Sequence, residues 1–326
     1  MRYSVPTFPL LRLPSEASKN ALQYCIVPEL VLLSTLSNRA KRLVKSARRK
    51  ASCIEINLHS GCKVVFGGEC IICFGRIEQG ESDIESLTPC TLRMRSEMKF
   101  FGDDTDLTLT GFGVREWCEH FMFTFNQPLV GVFFGFRNNR MYTLESVCKT
   151  LKGFSIGQLF VFENPCEVLR HFPVMSSLYM NKTGLEPELQ GEDLNFIKKV
   201  LLGNITRVLI GRVIPMDLNT LLMMNSPNIT SYHPSLADKE LNTFLKLWLK
   251  GANQNLEQLS LRYSSNFNLG RTFNTSVILK GFKHELLIEE GRIFPRSTYH
   301  IRKNDGTMGI VFLDVNEFSL EVEPFQ

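Results

Sequence analysis

The stretch Phe8-Pro-Leu-Leu-Arg-Leu-Pro14 opens the part of this 326-residue sequence that decides how the first residues fold. The following residues, up to about residue 50, carry apolar side chains at helical spacing and end in a basic run. Pro14 and Pro28 are suited to the start of a helix, because the backbone N–H that proline lacks has no hydrogen-bond partner in the first turn. Ser15 is the predicted N-cap, since its hydroxyl can accept a first-turn amide proton. The stretch therefore predicts several short helices.

Each of these predicted helices has only a narrow apolar stripe. The stripe of the first helix consists of Ala17, Ala21, Leu22 and Cys25. The stripe of the last helix consists of Ala40, Leu43, Val44 and Ala47, with basic side chains mostly on the opposite face. A unit of this size buries too little apolar surface to be stable alone. We therefore expect a partner, or the rest of the chain, to cover these stripes.

The Leu-Pro start and the segment Glu29-Leu-Val-Leu-Leu-Ser-Thr-Leu-Ser-Asn-Arg-Ala-Lys-Arg-Leu-Val44 together resemble an F-box. They are most similar to nematode-type F-box proteins with an F-box-associated domain. The resemblance implies an F-box at residues 5–50 that docks a Skp-type adaptor and, through it, a cullin. The implied adaptor contacts are Phe8, Leu10, Leu13, Pro14, Leu30, Leu33, Leu36 and Ser37. The first helix is poor in large apolar residues, which points to a low adaptor affinity, and an ordinary helical subdomain is the alternative.

Residues 51–326 are predicted to form a larger mixed α/β domain. Ile54–Leu58 alternates apolar and polar residues like a half-buried strand, and Gly113–Phe125 has a helical pattern. Further strands are predicted at Leu159–Phe162, Leu178–Met180, Val208–Ile210 and Leu259–Leu261, with a weaker one near Ile229. Predicted helices between them are marked by Leu194, Ile197 and Leu201; by Pro215, Leu218, Leu221 and Leu222; and by Leu241, Phe244, Leu245 and Trp248. Repeated strand–helix units predict degenerate leucine-rich-repeat-like units, and a single α/β domain of ordinary topology is the alternative.

A β hairpin is predicted near the end of the chain. Two apolar runs, Tyr299–Lys303 and Met308–Phe312, flank Asn304-Asp-Gly306, and an Asp-Gly pair tolerates the positive φ of a tight turn. This hairpin, together with Trp248–Asn253 and Leu256–Leu261, is similar to the F-box-associated domain, with the strongest resemblance over about residues 240–323. The resemblance implies that residues 51–326 hold a target protein, whose identity the sequence does not reveal.

The charge distribution supports a boundary near residue 50. The net charge of +4 divides into +8 for residues 1–50 and −4 for the remainder. Seven of the twelve residues from Arg39 to Lys50 are basic. A nuclear-localisation or nucleic-acid role is one interpretation, but a solvated helix face is favoured. Since no basic and aromatic interleaving follows, we expect no nucleic-acid partner.

No segment of the sequence resembles a signal peptide or a membrane span. The longest apolar run near the start is Leu30–Leu33, far shorter than either would require. We therefore predict a protein of the cytoplasm without a membrane partner, and nuclear access stays open. The nine cysteines are predicted to be free thiols.

Two interpretations apply to the cysteines of this region: a metal site at Cys70 and Cys73, with Cys53 and Cys62 upstream, or buried structural cysteines. Val64–Gly67 and Ile71–Phe74 have strand patterns. Residues three apart on a strand point to opposite faces, which opposes chelation by this pair. The second ligand pair of a zinc motif is also missing. Buried structural cysteines are therefore the favoured interpretation, and no metal or cofactor is expected.

The sequence also contains one pattern of a catalytic serine. Gly153-Phe-Ser155-Ile-Gly157 matches G-x-S-x-G, which requires a strand followed by a helix. The predicted order here is a helix followed by a strand. The six histidines form no close ligand pair, and Asp103–Asp106 lacks the glycine and glutamate of a calcium loop. We therefore expect no enzyme.

These features favour a substrate-receptor subunit of a Skp–cullin–F-box ubiquitin ligase. The alternative is a non-enzymatic protein-binding scaffold whose F-box-like helices only cap its own fold. A hydrolase that uses Ser155 ranks far below both.

Overall fold

The computed structural model describes residues 12–49, 53–58, 62–66, 70–74, 84, 89–94, 112–135, 142–181, 189–232, 234–263, 271–288 and 297–323. By the density of its contacts the chain divides into two compact units, unit 1 at residues 1–157 and unit 2 at residues 158–326. The predicted boundary near residue 50 lies inside unit 1. The division into an F-box at 5–50 and a domain at 51–326 therefore stays a prediction.

Unit 1 begins with three short helices, as the sequence predicts: α1 (Ser15–Gln23), α2 (Val27–Leu36) and α3 (Asn38–Ser46). Pro28 lies in the first turn of α2, as predicted. The predicted cap at Ser15 is wrong, because Pro14 occupies the N-cap position and no side chain caps α1. The buried side chains of α1 are Ser18 and Leu22 rather than the predicted alanines.

Ser18 is buried in α1 because its hydroxyl has a local partner: it donates to the carbonyl of Leu13 at 3.4 Å. The predicted stripe of α3 is mostly confirmed. Ala40, Val44 and Ala47 are buried, and Leu43 is half-buried.

Five strands of unit 1 form a sheet in the order β5-β1-β2-β3-β4. They are β1 (Ile54–Asn57), β2 (Lys63–Phe66), β3 (Cys70–Phe74), β4 (Pro89–Met94) and β5 (Leu129–Phe134). β1 pairs in parallel with β5 and antiparallel with β2, and β2, β3 and β4 continue antiparallel. The unit also contains α4 (Val114–Phe125) and α5 (Leu144–Thr150).

The aromatic face of α4 forms much of the core of unit 1. Phe66 of β2 stacks on Phe121 with ring centroids 4.7 Å apart and lies 4.3 Å from Phe125. Trp117 is buried beside Phe121. The predicted helix at Gly113–Phe125 is therefore confirmed, and it contacts β1, β2 and α3.

Unit 2 carries five parallel strands that neighbour one another in chain order. They are β6 (Ser155–Val161), which begins at the boundary between the units, β7 (Ser177–Met180), β8 (Arg207–Ile210), β9 (Asn228–Ser231) and β10 (Gln258–Arg262). The helices between them are α6 (Pro165–His171), α7 (Gly191–Leu201), α8 (Leu218–Met223) and α9 (Asp238–Leu249). The predicted strands, including the weaker one near Ile229, are confirmed.

Helix α8 starts later than predicted. It begins at Leu218 rather than at Pro215, because Asp217 is its N-cap. The carboxylate of Asp217 accepts a hydrogen bond from the amide of Thr220 at 2.7 Å. This bond satisfies a first-turn N–H that has no partner within the helix.

After the short α10 (Thr275–Ile278), four antiparallel strands complete unit 2: β11 (Glu285–Ile288), β12 (Ser297–Arg302), β13 (Met308–Asp314) and β14 (Glu317–Glu323). β14 pairs with β10. The predicted hairpin is confirmed: Arg302 lies opposite Met308, and Gly306 has a φ of 91° in the turn. The sequence predictions did not include β11 and β14.

Helix α9 lies between the parallel strands β9 and β10 in the chain and packs against the antiparallel strand β13. Its predicted stripe of Leu241, Phe244, Leu245 and Trp248 is fully buried, and Gly251 follows it with a φ of 101°. Trp248 lies so close to β13 that a Cβ on Gly309 would come within 2.7 Å of the indole ring. A glycine is therefore required where the helix meets the strand.

The longest helices within these residue ranges are α4 and α9, each of twelve residues. A helix needs about twenty predominantly apolar residues to span a bilayer. Within the described part of the chain, no helix meets that requirement.

We predict that Gly309→Ala destabilises the protein by about 1–3 kcal/mol, because the new methyl group overlaps Trp248 and approaches Leu320 at 3.0 Å. Urea denaturation measures this loss. Trp248→Phe removes the ring atoms that clash, so it should cost less in the Gly309→Ala background than in the wild type. Additive effects of the two substitutions would contradict the predicted contact.

Candidate protein-binding surfaces

The N-terminal helices leave several apolar side chains in solvent. Leu36, one of the predicted adaptor contacts, is 72% exposed at the end of α2. Tyr24 and Ile26, which the sequence analysis did not single out, are 90% and 52% exposed between α1 and α2. Three large apolar groups in so short a segment favour a binding surface over ordinary exposure.

The other predicted adaptor residues differ in their surroundings. Pro14 is exposed, and Leu13 and Leu33 are half-buried. Ser37 is exposed, but its hydroxyl caps α3 by accepting from the amide of Ala40 at 3.1 Å. Phe8 and Leu10 lie outside the described residues.

Leu30 differs from the rest of the set, because it is completely buried within the chain. It can therefore act on a partner only through the position it gives to α2. The surface that α2 presents is formed instead by Leu36 and by the half-buried Leu33.

A buried hydrogen bond holds α2 against α4. The hydroxyl of Ser34 donates to the carbonyl of Val31 at 2.6 Å and contacts Nε2 of His120 at 2.7 Å. Since the hydroxyl has one proton, the imidazole proton belongs on Nε2. Burial, with a smaller effect of the Lys41 charge, lowers the pKa of His120 to about 4. A neutral histidine thus joins the N-terminal helices to the rest of unit 1.

The second candidate surface is one face of the parallel sheet in unit 2. Alternate residues of the strands are buried, in register across the sheet: Leu159, Leu178, Val208, Ile229 and Leu259 form one such row. The intervening residues point to the opposite side. On that side Phe160, Tyr179, Leu209 and Thr230 form a row of half-buried side chains. We call this side the half-exposed face.

The chemistry of the half-exposed face changes along the row. Phe160 and Tyr179 stack at one end, with ring centroids 4.3 Å apart and planes 7° from parallel. Toward the antiparallel strands the row becomes polar, and the hydroxyl of Ser260 donates to Glu317 at 3.1 Å. The guanidinium of Arg262 lies 3.5 Å from the same carboxylate. An aromatic end and a charged end suit a protein partner with matching groups.

The residues that precede these strands follow a repeated motif that the sequence analysis missed. The motif has seven residues: three that precede the strand and four of the strand itself. Its fifth and seventh positions are buried, as in Asn204–Ile210, Asn225–Ser231 and Asn255–Leu261. In these three copies the first position is asparagine, and the second position is a buried Ile205, Ser226 or Leu256.

The three asparagines form a ladder of side-chain hydrogen bonds. The amide nitrogen of Asn225 donates to Oδ1 of Asn204 at 3.1 Å, and that of Asn255 donates to Oδ1 of Asn225 at 2.8 Å. All three side chains lie at the surface. The ladder links the turns that lead into β8, β9 and β10.

The candidate catalytic and metal residues lie where the strand and helix predictions put them. Ser155 is the first residue of β6 and follows α5, so the order is helix then strand, as predicted. Cys70 and Cys73 lie on the single strand β3. Burial raises the pKa of the Cys118 thiol to about 12 and also raises that of Cys62. A protonated thiol is a poor nucleophile and a poor metal ligand.

Comparisons with known proteins give a family match within unit 2 and a relative that spans most of the chain. Residues 196–261 match the family model described as F-box associated. The chain is 24% identical over 310 residues to the F-box associated domain-containing protein sdz-33 of Caenorhabditis elegans, which covers 94% of each chain. No solved structure matches.

These two matches support a relation to the F-box-associated family. The matched range contains all three asparagine motifs, the strands β8 and β9, and β10 except for its last residue, Arg262. It overlaps the predicted region of strongest resemblance, residues 240–323, only over residues 240–261. The rest of the match, residues 196–239, lies before that region in the chain. The family-model match therefore lies on parallel strands and does not include the hairpin.

We predict a pH dependence from His120. Its folded-state pKa of about 4 lies below the usual value of 6.5, so the unfolded chain takes up a proton first as the pH falls. The stability that neutral His120 contributes is therefore complete above pH 6.5 and is lost toward pH 4, by about 2 kcal/mol at pH 5.

His120→Gln retains a side-chain amide toward Ser34 but does not titrate. The difference in unfolding free energy between the wild type and this variant, measured by chemical denaturation from pH 8 to pH 5, should change in favour of the variant as the pH falls. A difference that stays constant across this range would show that the imidazole is accessible to solvent protons in the folded state.

Proposed function

We propose that this protein is a substrate receptor of a Skp–cullin–F-box ubiquitin ligase. In this proposal the N-terminal helices bind a Skp-type adaptor, and through it a cullin, and unit 2 binds a target protein. The protein itself performs no chemistry and holds no cofactor. It raises the effective concentration of the target near the ligase by binding both. The observation that carries the proposal is the family match over residues 196–261 in a chain that resembles an F-box at its start.

The exposed side chains of the N-terminal helices support the adaptor role. Leu36 and Tyr24 are among the most exposed large apolar residues of the described chain, at 72% and 90%. Their burial by a partner would remove apolar surface from water, worth about 25 cal/mol per Å². We propose that Leu36, Leu33 and Leu13 are the contacts that lie at the surface.

The half-exposed face supports the target-binding role. Five consecutive parallel strands with helical connections and a repeated seven-residue motif support the interpretation as leucine-rich-repeat-like units. Such stacked repeats use extended surfaces to bind proteins. We place the target on the row that includes Tyr179 and Leu209, and we propose that the protein works in the cytoplasm.

One observation favours the alternative, a scaffold whose helices only cap its own fold. The Ser34–His120 hydrogen bond and the complete burial of Leu30 tie α2 to α4 within unit 1. Deletion of residues 1–50 would remove this packing and expose the buried face of α4. A truncated protein would therefore lose binding through unfolding, and point substitutions make the better test.

The test is co-purification with a Skp-type adaptor after co-expression. We predict that the full chain captures the adaptor and that Leu36→Asp reduces capture at least tenfold, because a carboxylate would be buried at the apolar contact. Val174→Asp is the matched control, since Val174 is 80% exposed in unit 2. Equal capture by both variants and the wild type would reject this contact, and no capture by the full chain would favour the scaffold.

The target surface is tested in the reciprocal way. Tyr179→Ala combined with Arg207→Glu alters the half-exposed face. Target proteins should co-purify with both the wild type and Leu36→Asp. We predict that the double variant no longer binds these target proteins but still captures the adaptor. The proposed target surface is rejected if the variant retains the same proteins.

A further inference from the structure

A cavity in unit 1 is lined by the basic end of α3 and the end of α4. Its walls are formed by Lys45, Arg48, Arg49, Thr124, Phe125, Asn126 and Gln127, and its volume is about 690 Å³. Lys45 belongs to the last turn of α3, and Asn126 is the C-cap of α4. We call this site the basic cavity. The cavity contains three of the seven basic residues between Arg39 and Lys50, a run that the sequence analysis assigned to a solvated helix face.

Among the residues that the structure describes, the positive charges of the basic cavity have no acidic partners. Within the described ranges, neither Lys45, Arg48 nor Arg49 forms an ion pair, and no aspartate or glutamate lines the cavity. The ammonium of Lys45 lies 3.7 Å above the ring of Phe123. Arg49 makes only a long hydrogen bond of 3.4 Å to the carbonyl of Cys25. The charges therefore remain available to a ligand.

Helix dipoles explain part of this charge, but not all of it. Cations at a helix C-terminus compensate the partial negative charge there, which is equivalent to about half an elementary charge per helix. The ends of α3 and α4 thus offset about one of the three positive charges. About two charges remain, which matches a phosphoryl group, since it carries about −1.5 to −2 at pH 7.

The wall of the basic cavity also contains an unsatisfied hydroxyl. Thr124 is 2% exposed, and its hydroxyl has no hydrogen-bond partner among the described residues. Thr35 of α2, by contrast, donates to the carbonyl of Leu32 at 2.7 Å. Buried hydroxyl groups nearly always have a partner. Thr150, Thr220 and Ser226 also carry buried hydroxyl groups without a partner among the described residues, so the Thr124 hydroxyl is a donor beside the cavity and does not indicate a ligand by itself.

We propose that the basic cavity binds a phosphoryl group. Arg48 and Arg49 can each donate two parallel hydrogen bonds to phosphate oxygens, and Lys45 adds a point charge. The hydroxyl of Thr124 and the amide of Asn126 can complete the set of donors. The group belongs either to a free phosphate compound or to a phosphorylated side chain of a protein. This site does not depend on the proposed adaptor or target surfaces.

Isothermal titration calorimetry with the full chain tests the proposal. The probes are inorganic phosphate, inorganic pyrophosphate, and a Gly-phosphoserine-Gly peptide beside its unphosphorylated form. We expect phosphorylated probes to bind and the unphosphorylated peptide not to bind. Tighter binding of the phosphoserine peptide than of either inorganic probe would identify a phosphorylated protein segment, and the reverse order would identify a free phosphate compound.

Two pairs of substitutions separate the basic cavity from general positive charge. Lys45→Gln with Arg49→Gln removes two charges that line the cavity, and we expect at least a tenfold loss of affinity. Arg39→Gln with Arg42→Gln removes two exposed charges of the same helix outside the cavity and should change affinity less than threefold. Equal losses in both pairs, or no binding by any phosphorylated probe, would overturn the proposal.

Thr124→Val tests the hydroxyl without changing charge or shape. Valine has no hydroxyl group to leave unpaired, so the free variant should unfold at the same or a higher temperature than the wild type. If the hydroxyl binds the phosphoryl group, affinity should fall at least threefold even though stability is kept. Unchanged affinity would overturn the assignment of Thr124 to the site.

Discussion

The parallel strands of unit 2 have only four to seven residues each, and they form one sheet with a shared apolar face because their buried residues lie opposite one another. Leu178 faces Leu159 and Val208, and Ile229 faces Val208 and Leu259. A slip of one residue in any pair would turn the apolar side chains to the other face. The register therefore fixes both the core beneath the sheet and the row of side chains on the half-exposed face. The antiparallel strands extend the same pattern, since Leu320 of β14 pairs with Leu259.

The N-terminal helices combine two properties that are easily taken as alternatives. They pack on α4 through Ser34 and His120, and they also present Leu36 and Tyr24 to solvent. A helical segment with a narrow stripe is unstable alone, as the sequence analysis argued, and the structure shows that unit 1 covers part of it. Internal packing of one face is compatible with a partner on another face. The adaptor and scaffold hypotheses thus differ in what the exposed residues do, not in whether the helices are packed.

Strongly periodic segments could be predicted from the sequence. The stripe of α9, the strands around Leu178 and Val208, and the Asp305-Gly306 hairpin each carry their signal within a dozen residues. In α1 the predicted stripe was correct for Leu22 but missed Ser18, which is buried with a local hydrogen bond that no propensity signals. Contacts between distant residues were also out of reach. Ser34 and His120 are 86 residues apart, and neither residue alone indicates a buried pair.

The candidate surfaces were predicted in part. The exposure of Leu36 fits the set of residues that the F-box resemblance implied, whereas the burial of Leu30 depends on how α2 packs. The half-exposed face required the order and register of the strands, which periodicity does not supply. The basic cavity required the end of α4 to meet the end of α3, so the basic run alone resembled a solvated helix face.

The asparagine ladder also bears on how such a chain can change over evolution. Asn204, Asn225 and Asn255 are separated by 21 and then 30 residues, yet their side chains still meet and their strands remain in register. The two spacings differ only in the segments that connect the strands, which contain α8 and α9. Insertions or deletions there need not move the side chains displayed by the strands. The length of a helical connection and the identity of the displayed residues can therefore change independently, with the amide ladder as the fixed reference for both.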